Sequence, residues 1–178
     1  MKIILLVLLL FSVRTFAIGQ IEGLDIISQT HQTVNFLKPK DGIQGTVLIF
    51  LSPLCPCSDS HTETIKNLVS KYKDFRFVGV FSGDETGEFR EYFKMKDFNI
   101  PIFKDNKYAF ADELGALATP HAFVINNKGD VIYKGGVTSS SKATKNSEQW
   151  LASALDQARA KKQISPSETR VLGCPIRD

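Results

Sequence analysis

Residues 46–51 (TVLIFL) form an unbroken apolar run after the first residue and are rich in β-formers, the pattern of a strand covered on both faces. This predicts a buried central strand. Beyond it, Ile65, Leu68, Val69 and Tyr72 fall at i, i+3, i+4 and i+7, one face of a helix. Ser60 and Glu63 fit a capping box near its start. Residues 77–81 (FVGVF) predict a second buried strand. Residues 86–96 predict a helix with Phe89, Tyr92 and Phe93 on one side. Residues 100–103 (IPIF) are short and extended, and Pro101 suits a sheet edge. Residues 108–114 read as a short helix ended by Gly115. Residues 121–126 and 131–134 read as a hairpin around the turn Asn127-Lys128-Gly129-Asp130. The last helix is expected over 147–161, with Trp150, Leu151, Ala154, Leu155 and Ala158 facing inward.

The remainder is weakly patterned. Residues 34–37 suggest a short edge strand, 135–145 a polar loop, and 164–178 an irregular tail. The order β-α-β-α-(β)-α-β-β-α predicts an α/β fold with a central mixed sheet flanked by helices. No linker or internal repeat divides it.

The first seventeen residues form a different kind of segment. Lys2 precedes an apolar stretch at 3–13, and Thr15-Phe16-Ala17 ends it with small residues where a signal peptidase reads. The expectation is a signal peptide at 1–17, one domain at 18–178, and a location in the periplasm or outside the cell. The apolar stretch is too short for a comfortable membrane span, so no stable span is expected after cleavage. Of 178 residues, 43% are apolar and 23% charged. The formal charge of +3 falls to +1 once Lys2 and Arg14 leave with the leader. That balance gives no reason to expect nucleic acid as a partner.

Export changes how the three cysteines read, because disulfides persist outside the cytosol. Cys55 lies between a buried strand and a helix, a junction that exposes a side chain beside free helix N–H groups, which favour the thiolate. Cys57 is its natural mate by distance. Two residues span at most ~7 Å, against ~5.5–6 Å between Cα atoms in a disulfide. Cys174, in the tail, has three readings: a resolving thiol, a permanent bond that pins the tail, or a free thiol for a partner chain. Thr119-Pro120 opens a strand, where a cis proline would face the cysteine loop and offer backbone to a bound thiol or peptide. Two soft thiolates also suit Cu(I), with His121 as a further ligand, in a carrier that is not an enzyme. The composition calls for no cofactor. His61, in the first turn after the cysteines, is expected to be a solvated helix residue.

The segments TVLIFLSPLCPCS and ATPHAFVINNKGDVIYKGGV resemble the thioredoxin-like redoxins of the alkyl hydroperoxide reductase/thiol-specific antioxidant group. One subgroup looks similar at both ends: Cys55-Pro56 with Ser58, Thr119-Pro120, Tyr133-Lys134-Gly135, and the tail Gly173-Cys174-Pro175-Ile176. The resemblance implies a thioredoxin fold with an added αβ insertion, a cis Pro120, and Cys55 as the redox cysteine. Cys57 or Cys174 would resolve it, while Thr119, Pro120 and Ser52 would position the partner. Ser52 fits the Thr/Ser position of the peroxiredoxin pattern Pro-x-x-x-Thr/Ser-x-x-Cys. Leu48 stands where that pattern has proline, and the hairpin strands carry no arginine. The expected activity is therefore exchange with a protein or small-molecule thiol or disulfide, with thiol peroxidase activity on a peroxide as the alternative.

Overall fold

The computed structural model describes residues 19–84 and 86–177; the expected leader lies outside them. Seven strands form the main sheet: β1 (Gln20–Asp25), β2 (Thr30–Asn35), β3 (Gly45–Phe50), β4 (Phe75–Ser82), β5 (Ile102–Asp105), β7 (His121–Asn126) and β8 (Val131–Gly135). Two short strands, β6 (Ala118–Thr119) and β9 (Cys174–Pro175), pair apart from it. The helices are α1 (Pro56–Ser60), α2 (Thr62–Lys71), α3 (Gly87–Lys96), α4 (Ala109–Leu114) and α5 (Trp150–Arg159). The sheet order is β2-β1-β5-β4-β3-β7-β8. β3 is central, parallel to β4 and antiparallel to β7. Every residue of β3 is buried, which is why its sequence is continuously apolar rather than alternating.

The alternation appears instead between the two faces. Val47 and Ile49 join Phe77, Phe81 and Val124 in a core roofed by Ile65 and Leu68 of α2, Phe93 of α3, and Leu151, Ala154 and Leu155 of α5. Leu48 and Phe50 point the other way, to Val78, Val80, Phe103 and Phe123 with Ala111 of α4. The mixed sheet flanked by helices is thus the expected architecture.

Three expectations fail, each for a physical reason. Residues 102–105 are not an edge strand; β5 lies between β1 and β4. Pro101 precedes the strand, so no ladder N–H is lost, and its carbonyl accepts from Gly79. The edge strand expected at 34–37 is β2, at 30–35, and β1 beside it was not foreseen. The inward positions of β1 are Ile21, Gly23 and Asp25, so its alternation carries one apolar side chain. Gly23 lies against Phe103, where an added Cβ would come within 2.9 Å of that side chain's Cβ. Asp25 accepts the N–H groups of Ile27 and Ile102 at 3.2 and 3.1 Å, which replaces hydrophobic pairing by hydrogen bonds. The capping box does not form: the Ser60 hydroxyl donates back to the Cys57 carbonyl at 2.9 Å, and the helix breaks into α1 and α2 at His61. The tail is irregular as expected apart from β9, and it is tied to the body. Lys134 N–H donates to Ser167 O, Thr169 N–H to Lys134 O, and Gly136 N–H to Arg170 O.

The β3–β7 register pairs Phe50 with His121. Residues 119–120, just before β7, therefore arrive at the carboxyl end of β3, where the chain turns toward Cys55.

Candidate active site

Cys55 is the N-cap of α1, with extended backbone (φ −98°, ψ 110°). Pro56 follows at the start of the helix, where its missing N–H is no loss. The Ser58 N–H points at the Cys55 sulfur from 3.4 Å, a donor that favours negative charge there when the sulfur is reduced. The loop before it is laced. Cys55 N–H donates to Ser52 O at 3.2 Å, Leu54 N–H to the Ser52 hydroxyl at 3.3 Å, and Ser52 N–H to the Ser58 hydroxyl at 3.2 Å. Ser52 thus engages the loop that presents Cys55.

The junction was expected to expose Cys55, yet the residue is 1% exposed. The tail covers it. β9 runs antiparallel to β6, with Cys174 opposite Thr119 and Pro175 opposite Ala118. Ile176 N–H donates to Leu117 O at 3.0 Å. Cys174 and Cys55 form a disulfide with a Cα separation of 5.7 Å. Of the two mates left open by the sequence, the structure bonds Cys174; Cys57 is a free, half-buried thiol. Thr119 and Pro120 are joined by a cis peptide bond, and the Thr119 carbonyl oxygen is 3.0 Å from the Cys55 sulfur. The Thr119 hydroxyl is buried with no hydrogen-bond partner among the described residues.

The three sulfurs lie within 4.8 Å of one another. Once reduced, they form the donor set that suits a soft ion such as Cu(I); in the oxidised form two of the three are held in the disulfide. His121 is not part of that cluster. It lines a cavity of about 250 Å³ with Leu117, Lys134, Glu168 and Thr169, and its Nδ1 accepts the Leu117 N–H at 3.3 Å. Burial, and secondarily the charge of Lys134, lowers its pKa to about 4.

His61 is not solvated. It is 1% exposed, because α2 packs its first turn under the loop after β8. Nδ1 lies 2.7 Å from the Cys57 carbonyl and must carry the proton in that bond; Nε2 meets the Thr138 hydroxyl at 2.9 Å. Burial lowers its pKa, while the bond to Cys57 raises it. Thr138 lies 77 residues away in sequence, so no local pattern announces this contact.

Gly173, quoted in the tail motif, has a steric role that the sequence did not disclose. A Cβ there would overlap the Thr119 carbonyl, with Thr119 C at 2.7 Å and Pro120 N at 3.3 Å. A glycine directly before a cysteine is the only local sign of such a close approach.

A family model described as thioredoxin-like matches residues 42–131, just over half of the chain. No curated protein sequence matches. Among solved structures, an uncharacterized conserved protein from Geobacillus kaustophilus superposes with a TM-score of 0.78 at 18% identity, covering 89% of this chain and 88% of that one. A secreted disulfide oxidoreductase from Mycobacterium tuberculosis, homologous to E. coli DsbE, gives 0.52 at 15% identity over 62% of this chain and 79% of that one. The thioredoxin domain of a thiol-disulfide oxidoreductase from Bacteroides vulgatus gives 0.57 at 14% identity, covering 67% and 86%. At these identities the likeness is one of fold.

Proposed function

The chain belongs to the thioredoxin-like family, and on that premise we propose that it is an exported thiol–disulfide oxidoreductase, with Cys55 as the reacting thiol and Cys174 as the resolving one. The observation that carries this reading is the Cys55–Cys174 disulfide, formed with Cys55 at a helix N-cap and Cys174 on a tethered tail. Structural neighbours described as disulfide oxidoreductases support the reaction class, and the leader-like pattern of residues 1–17 supports export. Among the described residues no helix is long and apolar enough to cross a membrane.

In the reducing direction, the Cys55 thiolate attacks one sulfur of a partner disulfide. The partner's S–S bond breaks, a Cys55–partner mixed disulfide forms, and the partner's other sulfur leaves as a thiolate. Cys174 then attacks the Cys55 sulfur, the second partner thiolate leaves, and the Cys55–Cys174 disulfide remains. Two electrons have passed from the protein dithiol to the partner, and the reverse sequence oxidises a partner dithiol. The tail is suited to the second step. Arg170 is held by Gly136, and four further residues reach at most about 14 Å, so a released Cys174 stays near Cys55 at high effective concentration.

The test is turnover of a protein disulfide by the full-length protein with a thiol donor. The wild type should turn over, Cys55→Ser should be inactive, and Cys174→Ser should accumulate as a mixed disulfide. Activity in Cys55→Ser would overturn the reading.

A further inference from the structure

Cys57 is the thiol that the exchange reaction leaves unused, yet it is held firmly. Its carbonyl oxygen accepts from the Ser60 hydroxyl at 2.9 Å and from His61 Nδ1 at 2.7 Å. His61 is in turn anchored through Nε2 to the Thr138 hydroxyl at 2.9 Å. Cys174 is held from the other side, by the β6–β9 pairing and the hydrogen bond from Ile176 N–H to Leu117 O. The sulfurs of Cys55, Cys57 and Cys174 all lie within 4.8 Å of one another. Cys55 is buried, and Cys57 and Cys174 are half-buried. The cluster is therefore screened from bulk water on the Cys55 side and open to an entering ion on the other.

We propose that the reduced protein binds one Cu(I) ion in a three-coordinate site made by the sulfurs of Cys55, Cys57 and Cys174, and that the Cys55–Cys174 disulfide excludes the ion. Thiolates are soft donors that select Cu(I). Metal–thiolate bonds of about 2.3 Å in a trigonal plane put the sulfurs about 4 Å apart, inside the observed limit of 4.8 Å. Zinc is served less well. A structural zinc site closes with four ligands, and among the described residues no histidine, aspartate or glutamate joins the three sulfurs. Both ring nitrogens of His61 are committed to hydrogen bonds. His121 lines a separate cavity, with Nδ1 accepting from Leu117 N–H. Cys174 thus takes the place that the sequence suggested for His121. The ligand set stands independently of the proposed exchange reaction, whereas release of the ion rests on it. When a partner disulfide oxidises the protein, two electrons pass from Cys55 and Cys174 to the partner. The partner's S–S bond breaks, its two thiolates take up protons from water, the Cys55–Cys174 bond forms, and the metal leaves as Cu(I). Only Cys57 remains as a ligand. Metal and oxidant therefore compete for two sulfurs, and by linkage Cu(I) favours the dithiol form.

Fully reduced, full-length protein, kept free of oxygen, is mixed with Cu(I) held by bicinchoninate, and loss of the coloured chelate measures transfer to the protein. One ion per chain is expected. The oxidised protein, with its reductant removed, should take none. Cys57→Ser should bind about a hundredfold more weakly, since even residues that only support a metal ligand are worth about 10–100-fold. The same variant should exchange disulfides at the wild-type rate, so failure of the metal site and failure of the Cys55 reading are seen apart. No transfer to the reduced wild type would overturn the site, as would wild-type affinity in Cys57→Ser or in the oxidised protein. X-ray absorption at the copper edge of the wild-type complex needs no variant to fold. It should show three sulfur neighbours; two sulfurs, or nitrogen in place of one, would overturn the proposed ligand set. If Cys55→Ser retains exchange activity, release by oxidation falls with that reading, while uptake by the reduced protein is still decided by the titration.

Discussion

The Cys55 sulfur stands 3.0 Å from the carbonyl oxygen of Thr119. The same Thr119 pairs with Cys174 across the β6–β9 ladder, and its carbonyl lies under Gly173. The backbone of one residue therefore lies against both ends of the disulfide. The β6–β9 pairing brings Cys174 to Cys55 across a sequence separation of 119 residues, and the neighbouring Cys57 is left free.

Gly173→Ala should weaken that bond specifically. The added Cβ meets backbone atoms of Thr119 and Pro120, which have no room to give, so the tail must shift. Overpacking of this kind costs about 1–3 kcal/mol. Roughly a tenfold or larger shift toward the dithiol is expected in a glutathione redox titration read by thiol alkylation. An unchanged midpoint would show that the tail seats without the close approach.

Acid should destabilise the fold through His121. Its folded pKa is lowered to about 4, below the ordinary value near 6.5. The neutral form is therefore favoured in the native state. The associated stability is complete above about pH 6.5 and is lost as the pH falls toward 4, up to about 3 kcal/mol. The charged neighbours are Lys134, which opposes protonation, and Glu168, which favours it; they also pair with each other at 3.2 Å. Denaturant unfolding at pH 7.5 and pH 4.5 should show the wild type losing about 2–3 kcal/mol more than His121→Asn. Equal losses would remove His121 as the cause.

Asp105 should matter for stability although it does not touch the cysteines. It is buried and accepts from the Ser82 hydroxyl at 2.6 Å and the Phe110 and Ala111 N–H groups at 2.8 and 3.0 Å. Asp105→Ala leaves one buried donor, the Ala111 N–H, and two half-buried ones without their acceptor, at about 2–4 kcal/mol. Urea unfolding checks this, and a loss below 1 kcal/mol would contradict it.

Local patterns carried the centre of this fold into the sequence. The apolar run of β3, the Cys55 junction, the Thr119-Pro120 step and the β7–β8 hairpin are each set by residues close together in the chain, so periodicity and turn chemistry disclosed them. What stayed hidden depends on distant partners. β1 buries Gly23 and Asp25 in place of apolar side chains. His61 is buried by Thr138, and Cys174 is placed by Thr119. The resemblance to redoxins brought the tail into view through Gly173-Cys174-Pro175-Ile176, yet the choice between Cys57 and Cys174 needed the β6–β9 pairing. The free thiol of Cys57 lies within 4.8 Å of both bonded sulfurs, so proximity to the site does not by itself decide which thiol reacts.

The proposed function stands on Cys55 as the thiol that meets the partner. Reduced, full-length Cys174→Ser protein, mixed with oxidised glutathione, quenched with an alkylating agent and mapped by peptide mass spectrometry, tests it directly. Glutathione is expected on Cys55, with Cys57 carrying the alkyl label. Glutathione on Cys57, with Cys55 alkylated, would contradict it.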